Sequence, residues 1–138
     1  MGIRFRLPGI IVMRFRSASL PALLASLALP GLAQEKTGAE VYEAVCSECH
    51  SSGKLHAPRL GDRKRWGKLV REGLDDLVPA ALRGIRKMPA MGGNPGLTDL
   101  EVARGVVHMA NAGGGKFAEP TAADAAHWRK KADAGKKR

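Results

Sequence analysis

The sequence predicts an all-α protein with four to five short helices. Two segments begin with the T-x-x-E pattern of a helix capping box, Thr37 with Glu40 and Thr98 with Glu101. Apolar residues recur at helical spacing after each cap, and no stretch shows the sustained alternation of apolar and polar residues that is typical of a strand. With 138 residues, the chain has room for one small domain.

The first 33 residues have the pattern of an export signal. Four arginines precede the first acidic residue, Glu35; they are Arg4, Arg6, Arg14 and Arg16. A short apolar stretch, 20–29, follows, and the small residues at 31 and 33 suit a cleavage site. We therefore predict a signal peptide over 1–33, removed after Ala33, and a mature protein in the periplasm. Met13 is an alternative translation start, because a complete signal also follows it.

The positive charge is concentrated at the two ends of the chain. The formal charge of +10 falls to +6 without the signal arginines, and residues 129–138 carry +5 of that remainder. The body of the domain is nearly neutral, so the charge does not indicate a nucleic-acid partner. We predict a folded domain over 34–115 and a basic, Ala/Lys-rich mobile tail over 116–138, since its only large apolar residues are Phe117 and Trp128. Weak contact with a membrane surface is the role that this tail's charge suggests.

The pentapeptide Cys46-Ser47-Glu48-Cys49-His50 is the C-x-x-C-H pattern of covalent haem attachment. In this interpretation Cys46 and Cys49 bind one haem c through thioethers, and His50 is the proximal iron ligand. A disulfide is the alternative in an exported chain, and a dithiol oxidoreductase is another. The disulfide leaves His50 unexplained, and the oxidoreductase lacks its expected βαβ pattern. Aromatic residues are only 4% of the chain, so a buried haem would also supply apolar volume to the core.

Two short helices are predicted after this motif, at 63–71 and 76–86. The segment that follows, 87–97, is rich in Gly and Pro, and it needs an external contact to hold it. It contains Met88 and Met91. A methionine thioether is a common second axial ligand of c-type haem iron, and either residue is a candidate for that position.

Three further stretches have a family pattern. They are Gly38-x-x-Val41-Tyr42 before the cysteines, Ala57-Pro58 with Leu60-Gly61-Asp62 after them, and Met88-Pro89-Ala90-Met91-Gly92-Gly93-Asn94-Pro95. Over 38–112 the chain resembles the class I cytochromes c, and specifically the short bacterial cytochrome c5 family. The resemblance implies a class I cytochrome c fold around one covalently attached haem, with Gly38 and Tyr42 against the last helix near Val106.

The resemblance also implies roles for individual residues. His50 would be the proximal ligand and Met88 the distal ligand, because the family's ligand is the Met directly before Pro, and Met91 is the fallback. The carbonyl of Pro58 would accept a hydrogen bond from His50 Nδ1, which fixes the orientation of the imidazole ring.

A His/Met-ligated iron has no open position for a substrate, so we predict an electron carrier and not an enzyme. Its partners would be redox proteins that dock briefly, and it would work as a monomer. Cations over 59–71 would face an acidic docking surface on such a partner. The alternative is a haem c protein with an open distal site, acting as a peroxidase or gas sensor. That alternative requires that neither methionine bind iron.

Overall fold

The computed structural model describes Gly2, Gly9 and residues 34–135. The predicted signal peptide, 1–33, lies outside the described residues apart from those two glycines, and so does the end of the tail, 136–138. Residues 34–135 belong to one compact unit. In this described part of the chain, no helix is both long enough and apolar enough to cross a membrane.

The described residues form five helical segments, as the predicted all-α fold requires. In the first, α1 (Gly38–Val41) continues through a π-helical turn (Tyr42–Cys46) into α2 (Ser47–His50) without a break. The others are α3 (Arg63–Glu72), α4 (Leu74–Arg83), α5 (Asp99–Ala112) and α6 (Ala122–Gly135). Short 3-10 turns lie in the connections, at Lys54–His56 and Ala90–Gly93. Within 34–135, strand pairing is limited to one isolated bridge.

Both predicted capping boxes are present. The Thr37 hydroxyl accepts from Glu40 N at 3.3 Å, and the Glu40 carboxylate accepts from Thr37 N at 2.7 Å. The corresponding distances for Thr98 and Glu101 are 3.1 and 2.9 Å. Each box satisfies two of the backbone N–H groups that a helix start leaves without a partner.

Helix α4 differs from its predicted position at both ends. It starts at Leu74 rather than 76, and it ends at Arg83 rather than 86. Gly73 and Gly84 limit it, with φ of 82° and 84°, a region that glycine adopts readily and other residues avoid. A Cβ on Gly84 would lie 2.8 Å from Ala90 N, so only glycine fits where the chain turns back. Because the helix starts at Leu74, Pro79 lies beyond its first turn, where it is fully buried.

The first helical segment and α5 cross at very close range. A Cβ on Gly38 would overlap the carbonyl oxygen of Arg104, and one on Gly105 would lie 2.9 Å from Val41 Cγ1. At the same crossing, the ring of Tyr42 on the first helical segment lies 5.6 Å from the ring of His108 on α5. Small residues therefore let the two backbones meet, as the predicted contact between the first and last helices of the domain requires.

The prediction of a mobile tail is wrong for 122–135, which form α6 and pack against α4 and α5. Trp128 and Ala132 are 5% and 0% exposed, within the same apolar cluster as Val78 and Leu82. Alanines form much of the buried face of α6, and the prediction overlooked them because it considered only large apolar residues. The indole N–H of Trp128 also has a partner, Asp75 Oδ1, at 2.9 Å.

Candidate haem site

The two cysteines lie on the first helical segment, where its geometry changes. The Ser47 N–H bonds to the Tyr42 carbonyl, five residues back instead of four, so the turn that contains Cys46 is wider than an α-helical turn. Both cysteines are free and partly buried. The chain stays helical through His50, the last residue of the motif, and the helix ends there with Ser51 as its C-cap.

His50 is buried, with 7% of its surface exposed, and its ring is oriented by one hydrogen bond. Nδ1 lies 2.7 Å from the carbonyl oxygen of Pro58, the contact that the family resemblance implies. A carbonyl can only accept, so Nδ1 carries the proton and Nε2 keeps the lone pair that a metal requires. Burial lowers the pKa of His50, which the hydrogen bond to Pro58 partly offsets. The imidazole is therefore held in its neutral, metal-binding form.

The loop that carries Pro58 is held by two side chains of α3. The Arg65 guanidinium donates to the carbonyls of His56 and Ala57, at 2.6 and 3.1 Å. Trp66 Nε1 donates to the carbonyl of Arg59 at 2.8 Å, and its ring lies 6.1 Å from the His50 ring. Trp66 packs in the core. The role of Arg65 was not predicted, because it bonds to backbone groups that a sequence does not distinguish.

Met88 and Met91 lie in the Gly/Pro-rich segment between α4 and α5. Met88 is held by a pair of backbone hydrogen bonds with Ile85, at 2.9 and 3.0 Å. Met91 has φ of 54°, in the left-handed region, and its Sδ lies 3.9 Å from Arg129 Nη2 on α6. Both side chains are partly buried against the main apolar cluster.

A small apolar cleft brings Cys46 together with both methionines. The other residues that line it come from the first helical segment, α4, the methionine loop and α5; they are Val41, Ala81, Gly92, Leu97, Val102, Val106 and Met109. Cys49, His50 and Pro58 are not among the lining residues, although they follow Cys46 on the adjoining segment. A larger hollow at Glu35, Thr37 and Arg104 is polar and contains neither thiols nor methionines.

These residues fit a covalently bound haem. The cleft offers an apolar surface, a thiol at its wall and two soft thioethers, while the neighbouring imidazole keeps one nitrogen for a metal. Burial raises the pKa of Cys46 to about 11, so its thiol stays protonated at neutral pH. A dithiol oxidoreductase needs a thiolate with a lowered pKa, and its site lies on a βαβ unit. Cys46 has the opposite shift, and the described part of this chain contains no βαβ unit.

Comparison with known proteins agrees with a site for covalently bound haem. Residues 33–109 match the family model described as Cytochrome C oxidase, cbb3-type, subunit III. Cytochrome c-555 of Chlorobaculum tepidum is 36% identical over 103 residues, which cover 70% of this chain and 94% of that protein. Cytochrome c5 of Azotobacter vinelandii is 32% identical over 76 residues, covering 54% of this chain and 92% of the relative.

A solved structure of a cytochrome c, in an electron-transfer complex with nitrite reductase, has a similar fold. It is 32% identical, with a TM-score of 0.54, and the match covers 58% of this chain and 99% of that one. The fold, the C-x-x-C-H motif and the relatives agree on a single covalent haem c and on electron transfer. The chain therefore belongs to the cytochrome c family that these proteins share, as a class I monohaem cytochrome c of the c5-like type.

Proposed function

We propose that this protein is a periplasmic one-electron carrier whose haem iron is ligated by His50 and Met88. Bound haem supplies an iron centre that alternates between ferrous and ferric states. The observation that carries the proposal is the apolar cleft shared by Cys46, Met88 and Met91, next to an imidazole whose Nδ1 is already bonded to Pro58.

In this proposal each residue has a separate task. Cys46 and Cys49 attach the haem through thioethers, and His50 offers Nε2 to the iron. Pro58 keeps the imidazole ring in one orientation, and a hydrogen-bonded histidine is also a more basic ligand. Met88 would be the second iron ligand, which would leave no coordination position for a substrate and would favour electron transfer over catalysis.

Met88 is favoured over Met91 by the surroundings of the two sulfurs. Both the N–H and the carbonyl of Met88 are bonded to Ile85, so the backbone that carries the Met88 side chain is fixed. Met91 Sδ instead lies against the guanidinium of Arg129 on α6. A cation beside the sulfur opposes donation to a positively charged iron.

The ligands are tested by absorption spectra of the ferric protein expressed with haem-maturation machinery. We expect the methionine-to-iron charge-transfer band in the wild type and in Met91→Ala, and its loss in Met88→Ala. A band that survives in Met88→Ala and disappears in Met91→Ala would reverse the assignment. A wild-type protein without the band, which also binds carbon monoxide when reduced, would favour the open-site peroxidase or sensor instead.

Export is tested on the protein itself. The N-terminal sequence of the chain recovered from a periplasmic fraction should begin at Gln34. An intact N-terminus at Met1 or Met13, or recovery only in the cytoplasm, would contradict the proposed localisation.

The proposed partner is a redox protein with an acidic docking surface, met by a monomer of this chain. The support is a group of exposed cations on and before α3, none of which forms an ion pair with a described residue: Arg59, Arg63, Lys64, Arg65, Lys68 and Arg71. Unpaired charge on one face steers association and makes its rate depend on ionic strength. The related cytochrome c solved with nitrite reductase shows a redox protein as partner in this fold.

The proposed docking through these cations of α3 is tested by the salt dependence of the electron-transfer rate. The double variant Lys64→Gln/Lys68→Gln should reduce both the rate at low salt and its decline with added salt. Lys54→Gln is the matched control, because Lys54 is already paired with Glu48 at 2.5 Å. Equal effects of the variant and the control would argue against docking through α3.

A further inference from the structure

Helix α6 lies beyond residues 33–109, which match the family model, and it packs against α4 and α5, the two helices that flank the methionine loop. Trp128 and Ala132 are buried in one apolar cluster, and Met88 and Met91 pack against the same cluster. The helix is therefore in a position to act on the distal side of the haem site.

Arg129 connects α6 with both the loop and the start of α5. Its Nε lies 2.9 Å from Asp99 Oδ2, and Nη2 bonds to the other oxygen of the same carboxylate. The same Nη2 lies 3.9 Å from Met91 Sδ. Asp99 is the first residue of α5, directly after the loop. One guanidinium thus fastens the end of the loop and a side chain from its middle.

A second contact fastens α6 to the helix that precedes the loop. Asp75, in the first turn of α4, accepts from Trp128 Nε1 at 2.9 Å and from Lys131 Nζ at 3.1 Å. The loop runs from the end of α4 to the start of α5, so α6 is bonded to both of its flanking helices.

The loop has a reason to need such support. Met91 adopts a left-handed backbone conformation, which is strained for a non-glycine residue. Few backbone hydrogen bonds hold the segment between Pro89 and Leu97. An exposed ion pair would add little support. The Arg129–Asp99 pair is different, because it is bidentate and only 27% and 31% of the two side chains is exposed.

We propose that Arg129 is a positioning residue that holds the methionine loop closed over the distal side of the haem. The inference rests on the proposed haem site, but not on which methionine binds iron. When the loop opens, an added ligand such as imidazole can reach the iron. Its apparent affinity therefore reports the fraction of protein with the loop open.

The test is an imidazole titration of the ferric holoprotein, followed by absorbance. Arg129→Gln should bind imidazole roughly tenfold more tightly than the wild type, because the bidentate charged pair is lost. The control is Lys130→Gln, which removes a neighbouring exposed cation that forms no ion pair with a described residue, and it should leave the affinity unchanged. Thermal unfolding is measured beside it, since a purely structural role would lower the midpoint without changing the affinity.

Equal imidazole affinities in Arg129→Gln and Lys130→Gln would overturn the inference. If Arg129→Gln does not fold, Asp99→Asn weakens the same pair from the other side and should also tighten imidazole binding; an unchanged affinity there overturns it equally. The outcome is separable from that of the proposed ligand. A Met88→Ala protein that keeps its charge-transfer band refutes Met88 as ligand, while the imidazole ratio still measures the contribution of Arg129.

Discussion

The loop after the cysteines and the loop with the two methionines are both irregular, yet they are held in different ways. The first, which carries Pro58, is fastened by side-chain donors to its backbone carbonyls, from Arg65 and Trp66 on the neighbouring helix α3. The second has one backbone pair at its start, between Ile85 and Met88, and beyond that it is held by apolar packing and by a guanidinium from α6, far along the chain. A loop held through its backbone keeps its shape whatever its side chains do. A loop held through side chains can be released by losing one contact, so we expect the Pro58 side to be the rigid half of the proposed haem site and the methionine side to be the adjustable half.

The largest expected effects come from replacing two buried tryptophans, Trp66 on the Pro58 side and Trp128 on the methionine side. Trp66 and Trp128 are 4% and 5% exposed, and each indole N–H has one oxygen partner. Replacing either with alanine should lower the free energy of unfolding by about 3–5 kcal/mol, measured by urea denaturation of the holoprotein. Only Trp66→Ala should perturb the proximal histidine in the spectrum, and only Trp128→Ala should tighten imidazole binding.

The two tryptophans also test the comparison between the sides. Trp66→Phe and Trp128→Phe keep most of the packing and lose the indole hydrogen bond, so each should cost about 1 kcal/mol. If Trp66→Ala and Trp128→Ala have the same spectrum and the same imidazole affinity, the two sides are not independent.

An intermediate effect is expected where the first helical segment crosses α5, a contact that supports both sides of the site. Gly38→Ala should lower the free energy of unfolding by about 1–3 kcal/mol, because the new methyl group overlaps the Arg104 carbonyl. Gly67→Ala is the matched control. Gly67 lies inside α3, and a Cβ there would meet only the Arg71 Nη1 at 4.0 Å, so alanine should stabilise by up to about 1 kcal/mol. Equal changes at the two sites would show that the crossing tolerates a wider separation.

The smallest expected effect is a dependence of the α6 attachment on acid pH. The hydrogen bond from Trp128, followed by the one from Lys131, holds the pKa of Asp75 below its usual value. A lowered pKa in the folded state stabilises above the ordinary value, 3.8, and this contribution is lost as the pH falls through the folded pKa. His127, whose Nε2 lies 3.7 Å from the same carboxylate, adds to the attraction when it is protonated.

Acidification below about pH 4 should therefore loosen α6 and lower the free energy of unfolding of the wild type, measured by urea denaturation at a series of pH values. Asp75→Asn should have the lower free energy of unfolding already at neutral pH, and that free energy should fall less on acidification. Asp76→Asn is the control, since its side chain forms no ion pair or hydrogen bond with a described residue. An acid profile of Asp75→Asn that matches the wild type would assign the effect to other carboxylates.

The two sides of the site are supported by different contacts, and this difference also explains how much of each could be predicted from the sequence. The cysteines and His50 form a local motif whose chemistry depends on spacing within five residues, and the capping boxes are equally local. The Arg129–Asp99 pair joins residues 30 positions apart, and the Trp128–Asp75 bond spans 53 positions. Only the folded chain brings such partners together. The π-helical turn at Tyr42–Cys46 also had no signal, because residue types do not distinguish it from an α-helical turn.

The close crossing of Gly38 and Gly105 bears on the order of events during folding. Val41 and Gly105 are 64 residues apart, so their contact closes a long loop, and the entropic cost of closure grows with the logarithm of loop length. His50 and Met88 are 38 residues apart. A cofactor joined to both would close that shorter loop first and leave only the last part of the chain to be brought back. Haem would then act on this chain as an internal cross-link does, by removing conformations from the unfolded state. Without it, the two helices must find each other across the whole intervening chain.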